Sequence, residues 1–248
     1  MYHYHEYSPD IRLTPWIKNY WSAIGFIDFG NIPKVFPDGC TDIIFIFDKT
    51  QGTSYAGIFG TITRFIEVDF PESTQMFGIR FNPAGITAFT RVPVEEFTDW
   101  SVNLALVETL FNKSFYETLP EKHSMTEIIE YTNNYLISQL SFLYYCDKQI
   151  IRAIDLISLA KGQLSLAAAA SDVCLSQRHF ERKFKSAIGV SPKMFAKISR
   201  FQHAAKCLHA YPHKDLLTIA LECGYYDHTH LIKDFKILSG DTPTDFRR

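Results

Sequence analysis

Two stretches of the chain, 51 residues apart, decide its organisation: SQRHFERKFKSAIGVSP (176–192) and DHTHLIKDFKILSGDTP (227–243). Matching positions hold residues of the same kind: Phe180 returns as Leu231, Arg182 as Lys233, Phe184 as Phe235, Lys185 as Lys236, and Gly189 as Gly240. Just outside the two stretches, Ala169 returns as Ala220 and Phe195 as Phe246. A repeat this local indicates one supersecondary unit that is used twice.

Each copy predicts an amphipathic helix that begins at a capping residue, Ser176 in the first and Asp227 in the second. Helical spacing places apolar residues on one inner face. These are Phe180, Phe184 and Ile188 in the first copy, and Leu231, Phe235 and Leu238 in the second. The outer faces carry Arg178, Glu181, Arg182 and Lys185 in the first copy, and Thr229, Ile232 and Lys233 in the second.

The segment before the first helix completes a recognisable pattern. LSLAAAASDV (164–173) predicts a short helix of small residues. A short helix, a tight turn and a second helix with basic outer residues form a helix-turn-helix unit, whose second helix enters the DNA major groove. One such helix alone is more often a solvated surface. Two copies at a fixed offset, each followed by Gly-x-Ser/Thr-Pro, favour the DNA-binding interpretation.

The segment between the copies, SPKMFAKISRFQHAAKCLHA (191–210), predicts one long helix. About 20 helical residues span about 30 Å. That length is close to one turn of B-DNA, roughly 34 Å. The spacing therefore predicts two recognition helices that enter successive major-groove segments on one face of the duplex.

The formal net charge of −2 combines two halves of opposite sign. Residues 148–248 hold 16 Lys and Arg against 9 Asp and Glu, a net of +7, whereas the other 147 residues hold 9 against 18, a net of −9. A basic C-terminal half favours a polyanionic partner. No apolar run reaches the roughly 18 residues of a bilayer crossing, and the N-terminus lacks an export pattern, so we expect a cytoplasmic protein without a membrane partner.

The N-terminal half is rich in β-branched and aromatic residues, in short runs between turn signals. A strand is expected from about Thr41 to Phe47, and AGIFGTIT, RFIEVDF and QMFGIRF are also strand-length runs. They predict a mainly β domain, a small barrel or sandwich of cupin-like type. Helical spacing begins near Val94 and includes a capping box at 124–127. We therefore expect a β-rich sensor or dimerisation domain with a helical extension over 1–147, and an all-α DNA-binding domain over 148–248.

Residues from about Ile150 to Arg248 resemble the DNA-binding domain of the AraC family of bacterial transcription regulators, most specifically in ALECGYYDHTHLIKDFKILSGDTPTDFR (220–247). The resemblance implies seven helices, with two helix-turn-helix units joined by a long helix. The positions it implies for base contacts are Arg178, Glu181, Arg182, Thr229, Ile232 and Lys233. Gln177 and His228 occupy positions of neighbouring or phosphate contacts, and we expect Lys185 and Lys236 to add to the phosphate contacts.

Two residues depart from the family pattern. Cys174 stands at a turn position where glycine is frequent, and Lys233 replaces a frequent arginine. Because lysine cannot make the bidentate contact that arginine makes with guanine, base reading by the second unit is expected to be weaker.

The N-terminal half resembles the poorly characterised β-rich domain that precedes some AraC-type DNA-binding domains, through FPDGCTDIIF (36–45) and FGIRFNPAG (77–85). Such domains act as effector sensors or as dimerisation modules, and the sequence leaves both open. The predicted function is a sequence-specific DNA-binding transcription regulator. Its expected partners are double-stranded DNA, a small-molecule effector, a second copy of the chain and, for an activator, RNA polymerase.

Other chemistry is less well supported by the sequence. His3-x-His5 and His228-x-His230 lack a third ligand at a suitable spacing, and the five cysteines form no C-x-x-C pair, so we expect free thiols and neither metal nor cofactor. The Asp38/Asp42 pair is better explained by a turn. Arg80 is a weak candidate for binding a carboxylate effector, and a structural salt bridge is the favoured interpretation.

The alternative function is a β-barrel enzyme or ligand-binding protein with a helical interaction domain. An enzyme would need a convergent set of His, Cys or carboxylate side chains, and the sequence indicates none. No catalytic residue is therefore predicted, and we do not expect the protein to be an enzyme.

Overall fold

The computed structural model of the chain describes residues 3–24, 33–48, 53–68 and 74–247. These residues form two compact units. The first comprises the described residues of Met1–Pro33, Cys40–Gly60 and Val68–Cys146, and the second those of Lys34–Gly39, Thr61–Glu67 and Asp147–Arg248. Two short segments of the N-terminal half thus belong to the second unit, which the predicted domains 1–147 and 148–248 do not anticipate.

The first unit is built on one antiparallel sheet. The strands in the described residues are β1 (His3–Tyr7), β2 (Ile17–Ile24), β3 (Lys34–Val35), β4 (Thr41–Asp48), β5 (Thr53–Phe59), β6 (Ile66–Glu67), β7 (Thr74–Phe81) and β8 (Ser101–Asn103). Six of them pair in the order β1-β2-β7-β4-β5-β8, with β1 and β8 at the edges, while β3 and β6 form a separate two-stranded ribbon. The mainly β character of the N-terminal region is confirmed. Strands β1, β2, β3 and β8 lie outside the predicted runs.

One face of the sheet builds the core of the first unit. Along β7, Phe77, Ile79 and Phe81 alternate towards this core and are fully buried, as the period of two in a strand requires. On the neighbouring β2, Tyr20 is buried on the same face, and its hydroxyl donates to Asn133 Oδ1 at 2.9 Å. Asn133 lies in a helix that follows the sheet, so this bond fixes the helical extension to the strands.

The opposite face of the sheet holds a partly buried ion pair. Arg80 Nε on β7 lies 3.1 Å from Asp42 Oδ1 on β4, and the Trp21 indole N–H donates to the same oxygen at 2.8 Å. The Trp21 ring covers Gly78, where a Cβ atom would collide with the indole. The salt-bridge interpretation of Arg80 is therefore confirmed.

The predicted helical segment after the sheet is only partly regular. Short 3-10 helices at Val94–Phe97 and Leu104–Leu106 flank strand β8, and they are followed by α1 (Lys113–Thr118) and α2 (Met125–Ser138). The predicted cap of α2 is confirmed, because Ser124 Oγ accepts from Glu127 N at 3.2 Å. The return bond differs from a regular capping box, since Glu127 Oε2 accepts from the N–H of His123, one residue before the cap, at 3.1 Å. None of the helices in the described residues is long and apolar enough to cross a membrane.

The second unit is mainly helical. The seven helices in its described residues are α3 (Lys148–Leu159), α4 (Leu166–Asp172), α5 (Gln177–Ile188), α6 (Pro192–Ala210), α7 (Leu216–Glu222), α8 (His228–Leu238) and α9 (Pro243–Phe246). Their number and the long α6 agree with the prediction. The inner faces predicted for α5 and α8 are all buried, with Phe180, Phe184, Leu231, Phe235 and Leu238 fully so.

The β3–β6 ribbon packs on this helical unit. Phe36, which follows β3, lies 5.3 Å from Phe246 and 6.3 Å from Phe201 between ring centroids. Polar contacts surround it: Gln202 Nε2 donates to Pro37 O at 2.6 Å, and Lys34 Nζ lies 2.9 Å from Asp241 Oδ1. The ribbon thus contributes an aromatic side chain to the core between α6 and α9.

This packing predicts that Phe36→Ala destabilises the second unit. Because Phe36 is only half-buried, we expect a loss of about 2 kcal/mol, below the 3–5 kcal/mol of a fully buried phenylalanine. The measurement is urea unfolding of the full chain, followed by helical circular dichroism. Ile66→Ala, on the exposed side of the same ribbon, serves as the control and should change stability by less than about 0.5 kcal/mol. Equal effects of the two variants would contradict the anchoring role of Phe36.

Candidate nucleic-acid interface

The first helix-turn-helix unit consists of α4, a tight turn and α5. Its turn is a Schellman motif: Leu175 N donates to Ala170 O, and Cys174 N to Ser171 O, both at 3.0 Å. Cys174 has φ of 55°, the left-handed conformation for which glycine is favoured. Ser176 then caps α5, its hydroxyl accepting from His179 N at 3.4 Å. The predicted turn at Cys174 and the predicted cap at Ser176 are confirmed.

The second unit repeats the same turn with glycine in place of cysteine. Tyr225 N donates to Ala220 O at 2.9 Å, and Gly224 N to Leu221 O at 3.1 Å. Gly224 has φ of 78°. Asp227 caps α8 by accepting from His230 N at 2.7 Å.

One residue of the predicted alignment between the two units is wrong. Because Ala170 and Ala220 hold the same place in the two turns, the counterpart of Ala169 is Ile219 rather than Ala220. Equivalent positions of the two units are 50 residues apart up to the turn and 51 residues apart from the cap of α8 onward. The extra residue is Tyr226, which lies between the turn and this cap. Its side chain is 88% exposed, so the insertion projects into solvent immediately before the recognition helix.

The residues predicted to contact DNA lie on the outer surfaces of α5 and α8. Nine of the ten are exposed: Gln177, Arg178, Glu181, Arg182, Lys185, His228, Thr229, Lys233 and Lys236. The tenth, Ile232, is half-buried. Each helix therefore presents hydrogen-bond donors and positive charge on the side opposite to its buried face, which is the arrangement that groove binding requires.

Each recognition helix is also held by an ion pair that the sequence did not predict. On α5, Lys183 Nζ lies 2.7 Å from Asp147 Oδ2 at the start of α3. The equivalent position on α8 is Asp234, whose Oδ1 lies 3.0 Å from Lys197 Nζ on α6. The two units use the same helix position with opposite charge, and these ion pairs orient the two helices against α3 and α6.

The two carboxylates differ in their surroundings. Burial raises the pKa of Asp147, but the hydrogen bond and charge of Lys183 and the backbone N–H groups at the start of α3 outweigh it, so the pKa lies below its usual value. Asp234 is only 5% exposed, and its Oδ2 accepts no hydrogen bond. Removing Lys197 would therefore leave a buried, poorly satisfied carboxylate.

A cation–π contact fixes the second turn to α6. The Arg200 guanidinium lies 5.4 Å from the centroid of the buried Tyr225 ring, and its Nη1 donates to Gly224 O at 3.3 Å. Burial raises the pKa of the Tyr225 hydroxyl, an effect that Asp234 reinforces. Arg200 therefore positions the turn. The sequence alone does not indicate this structural role, because it shows only a basic residue.

Two family models match parts of the chain. Residues 159–248 match a family described as a helix-turn-helix domain. Residues 5–103 match a family described as a domain of unknown function, DUF6597. No curated protein matches the chain.

Several solved structures are similar to the chain. The C-terminal domain of AraT, a response regulator from Geobacillus stearothermophilus, is 24% identical over 42% of this chain and 88% of that one, with a TM-score of 0.40. A probable AraC family transcriptional regulator from Rhodopseudomonas palustris is 23% identical over 41% and 95%, with a TM-score of 0.38. ToxT from Vibrio cholerae, bound to (E)-4-(8-methylnaphthalen-1-yl)but-3-enoic acid, is 9% identical over 99% and 98%, with a TM-score of 0.46.

The paired helix-turn-helix units and the family match over 159–248 define a DNA-binding protein of the helix-turn-helix class. Within that class, residues 159–248 have the double helix-turn-helix architecture that the sequence predicts for the C-terminal domain. The DNA-binding function predicted from the sequence is confirmed. The alternative, a β-barrel enzyme or ligand-binding protein, finds no support in these matches.

The ion pair on α8 predicts a selective loss of stability in Lys197→Met. Because the change leaves the buried Asp234 carboxylate with only the more distant His230 Nε2, 3.9 Å from its Oδ2, we expect a loss of about 2–3 kcal/mol, somewhat below the value for a fully buried pair. Urea unfolding of the full chain measures this loss. The control is Lys193→Met, which removes an exposed lysine from the same helix and should cost less than about 0.5 kcal/mol. If Lys197→Met proved as stable as the control, the pair would not hold α8.

Proposed function

We propose that α5 and α8 enter two successive major-groove segments of one operator. Helix α6, which connects the two units, has 19 residues and is therefore about 28 Å long. This length approaches the roughly 34 Å separation of groove segments on one face of the duplex. The exposure of the predicted contact residues on α5 and α8 is the observation that supports the proposal.

The side chains assign distinct roles to the two helices. On α5, Arg178 and Arg182 carry guanidinium groups that suit bidentate contacts with guanine, and Glu181 can accept from cytosine. On α8, Thr229 and Ile232 offer a methyl group and an aliphatic side chain for the thymine methyl group, whereas Lys233 can act only as a point charge. The first helix is therefore proposed to supply most of the sequence discrimination.

The remaining exposed residues of the interface suit phosphate contacts. Gln177 and His228 are the first residues of α5 and α8, where backbone N–H groups also favour anions. Lys185 and Lys236 lie in the last turns of the same helices. These four residues are proposed to position the protein on the duplex without reading its sequence.

The division of roles predicts different effects of Arg182→Ala and Lys233→Ala. Arg182→Ala should cost about 1–3 kcal/mol on the preferred site and relax specificity at one or two base pairs. Lys233→Ala should weaken preferred and random DNA by similar factors, because a phosphate-type contact carries little sequence information. Selection of the operator from random DNA, followed by binding titrations at fixed salt, measures both quantities.

The control for these variants is Lys113→Ala, which removes an exposed positive charge from α1 in the first unit. It should leave affinity and specificity close to those of the unchanged chain. Arg182→Ala acting equally on preferred and random DNA would refute base reading by this residue.

We further propose that the first unit senses a small organic effector. An aromatic-rich cavity of about 200 Å³ in this unit is lined by Phe45, Phe47, Tyr55, Ala56, Asn103, Ala105 and Tyr116. Its size suits a one- or two-ring compound, and Asn103 offers a polar group that can orient it. A homodimer, contact with RNA polymerase and residence in the bacterial cytoplasm, where the DNA target lies, are parts of the same proposal.

The cavity predicts that indole and benzoate raise the melting temperature of the full chain measurably at millimolar concentration. Ala56→Phe should abolish the rise, because the new ring fills the cavity. Ile11→Phe adds a ring at an exposed position elsewhere in the same unit and should preserve the rise. No shift with either compound, or an equal shift in both variants, would count against this cavity as the effector site.

A further inference from the structure

Three potential metal ligands converge between α6 and α7. His203 and Cys207 lie one turn apart on α6, and Cys223 is the C-cap residue of α7. Cys207 Sγ lies 3.7 Å from His203 Nε2, and the ligand atoms of all three residues lie within 4.8 Å of one another. Among the described residues, this is the one set of three or more His, Cys, Asp or Glu side chains close enough to share an ion.

The fold places these ligands independently of any ion. The i, i+4 spacing puts His203 and Cys207 on the same face of α6. Helix α7 packs against that helix in the core cluster that includes Phe201, Ala204 and Ile219. Cys223 is fully buried in the same cluster, so its position is set by apolar packing.

The geometry is close to that of a tetrahedral zinc site. With Zn–S of about 2.3 Å and Zn–N of about 2.0 Å, neighbouring ligand atoms in such a site lie roughly 3.5–3.8 Å apart. The 3.7 Å between Cys207 and His203 falls within this range. The other pairs of ligand atoms are no more than 4.8 Å apart. The side chains therefore need to move by about 1 Å at most to reach the ligand separations of a zinc site.

The charges and ligand types favour a thiophilic cation. Two cysteine thiolates would balance a divalent ion, and thiolate and imidazole ligands favour Zn²⁺ or Cu⁺ over Mg²⁺ or Ca²⁺. Lys161 and Lys206 carry positive charge near His203, and Glu222 lies near Cys223. Burial and the neighbouring Cys207 raise the pKa of Cys223, and Lys161 opposes this only in part. The thiolates therefore form as the ion displaces the protons, and a neutral complex of Zn²⁺ with two thiolates is the compatible species.

We propose that His203, Cys207 and Cys223 form a zinc-type site whose fourth position is open to water or to an external ligand. On binding, each thiol releases its proton to solvent as its sulfur coordinates the ion. The bound ion would connect the first helix of the second helix-turn-helix unit to α6. It would thereby stabilise the unit that contains α8.

The test is a titration of the metal-free full chain with Co²⁺, kept reduced by a phosphine and free of oxygen. We expect one Co²⁺ per chain, with thiolate-to-cobalt charge-transfer bands and the intense visible bands of a tetrahedral site. Displacement by Zn²⁺ should give a dissociation constant below about 1 μM. A hundredfold excess of Zn²⁺ over this constant should raise the melting temperature by about 5 °C or more.

Variants identify the ligands. Cys207→Ala and His203→Gln change half-buried residues and should each weaken Zn²⁺ binding at least tenfold, with altered cobalt bands. Cys174→Ser is the matched control, because Cys174 is an exposed cysteine in the equivalent turn of the first unit, and it should bind like the unchanged chain. Circular dichroism of each metal-free variant shows whether it has kept its fold.

Three results would overturn the proposal. These are the absence of charge-transfer bands in the unchanged chain, bands that survive both ligand variants, and a Cys207–Cys223 disulfide that persists in the reductant. The readout is independent of DNA binding, so failure of this site and failure of the proposed operator reading are separate outcomes.

Discussion

The aromatic cluster around Phe201 is the packing on which the second recognition helix depends. The Phe201 ring of α6 lies 4.8 Å from Phe235 of α8, and Phe246 of α9 lies 5.3 Å from Phe235. Phe36 of the ribbon packs against the same rings. These separations fall in the range in which aromatic pairs add to simple burial. The outer face of α8 is therefore oriented by contacts from the connecting helix, the last helix and an N-terminal segment.

The two helix-turn-helix units have the same turn and the same kind of ion pair, but they form them with different residues. Both turns are Schellman motifs, yet one places Cys174 and the other Gly224 in the left-handed conformation. Both recognition helices are tied by an ion pair at the same position, with Lys183 in one and Asp234 in the other. The geometry is thus retained while the charge is exchanged, so the role of these positions is to orient the helix.

Periodic features were predictable from the sequence, whereas long-range contacts were not. Local spacing and capping chemistry predict the inner faces of α5 and α8, their caps and the long α6. These features depend only on residues that are close together in the sequence. Strand β6 lies inside the predicted run RFIEVDF, whereas the two residues of β3 carry no periodicity of their own. The pairing of these strands and their place in the second unit were therefore not predicted. Cys207 and Cys223 form no sequence motif. The one local signal for their cluster is the i, i+4 spacing of His203 and Cys207. The shift at Tyr226 was missed because residues 167–170 are all alanine, so Ala220 matches Ala170 at an offset of 50 and Ala169 at an offset of 51.

The ribbon also determines which fragments of the chain contain a complete second unit. Its strands come directly before β4 and after β5, two strands of the sheet in the first unit. A fragment that begins at residue 148 would lack Phe36. Its absence would expose apolar surface of the Phe201 and Phe246 rings to water, which costs free energy. The fragment would also lose the bond from Thr61 Oγ1 to Ile188 O, a buried contact of 2.6 Å at the end of α5. Weak DNA binding by such a fragment would therefore reflect an incomplete second unit, and it could not be assigned to the loss of a dimer partner. The segment Lys34–Gly39, which follows Pro33 of the first unit in the chain, is therefore a covalent part of the second unit through Phe36 and the aromatic cluster around Phe201.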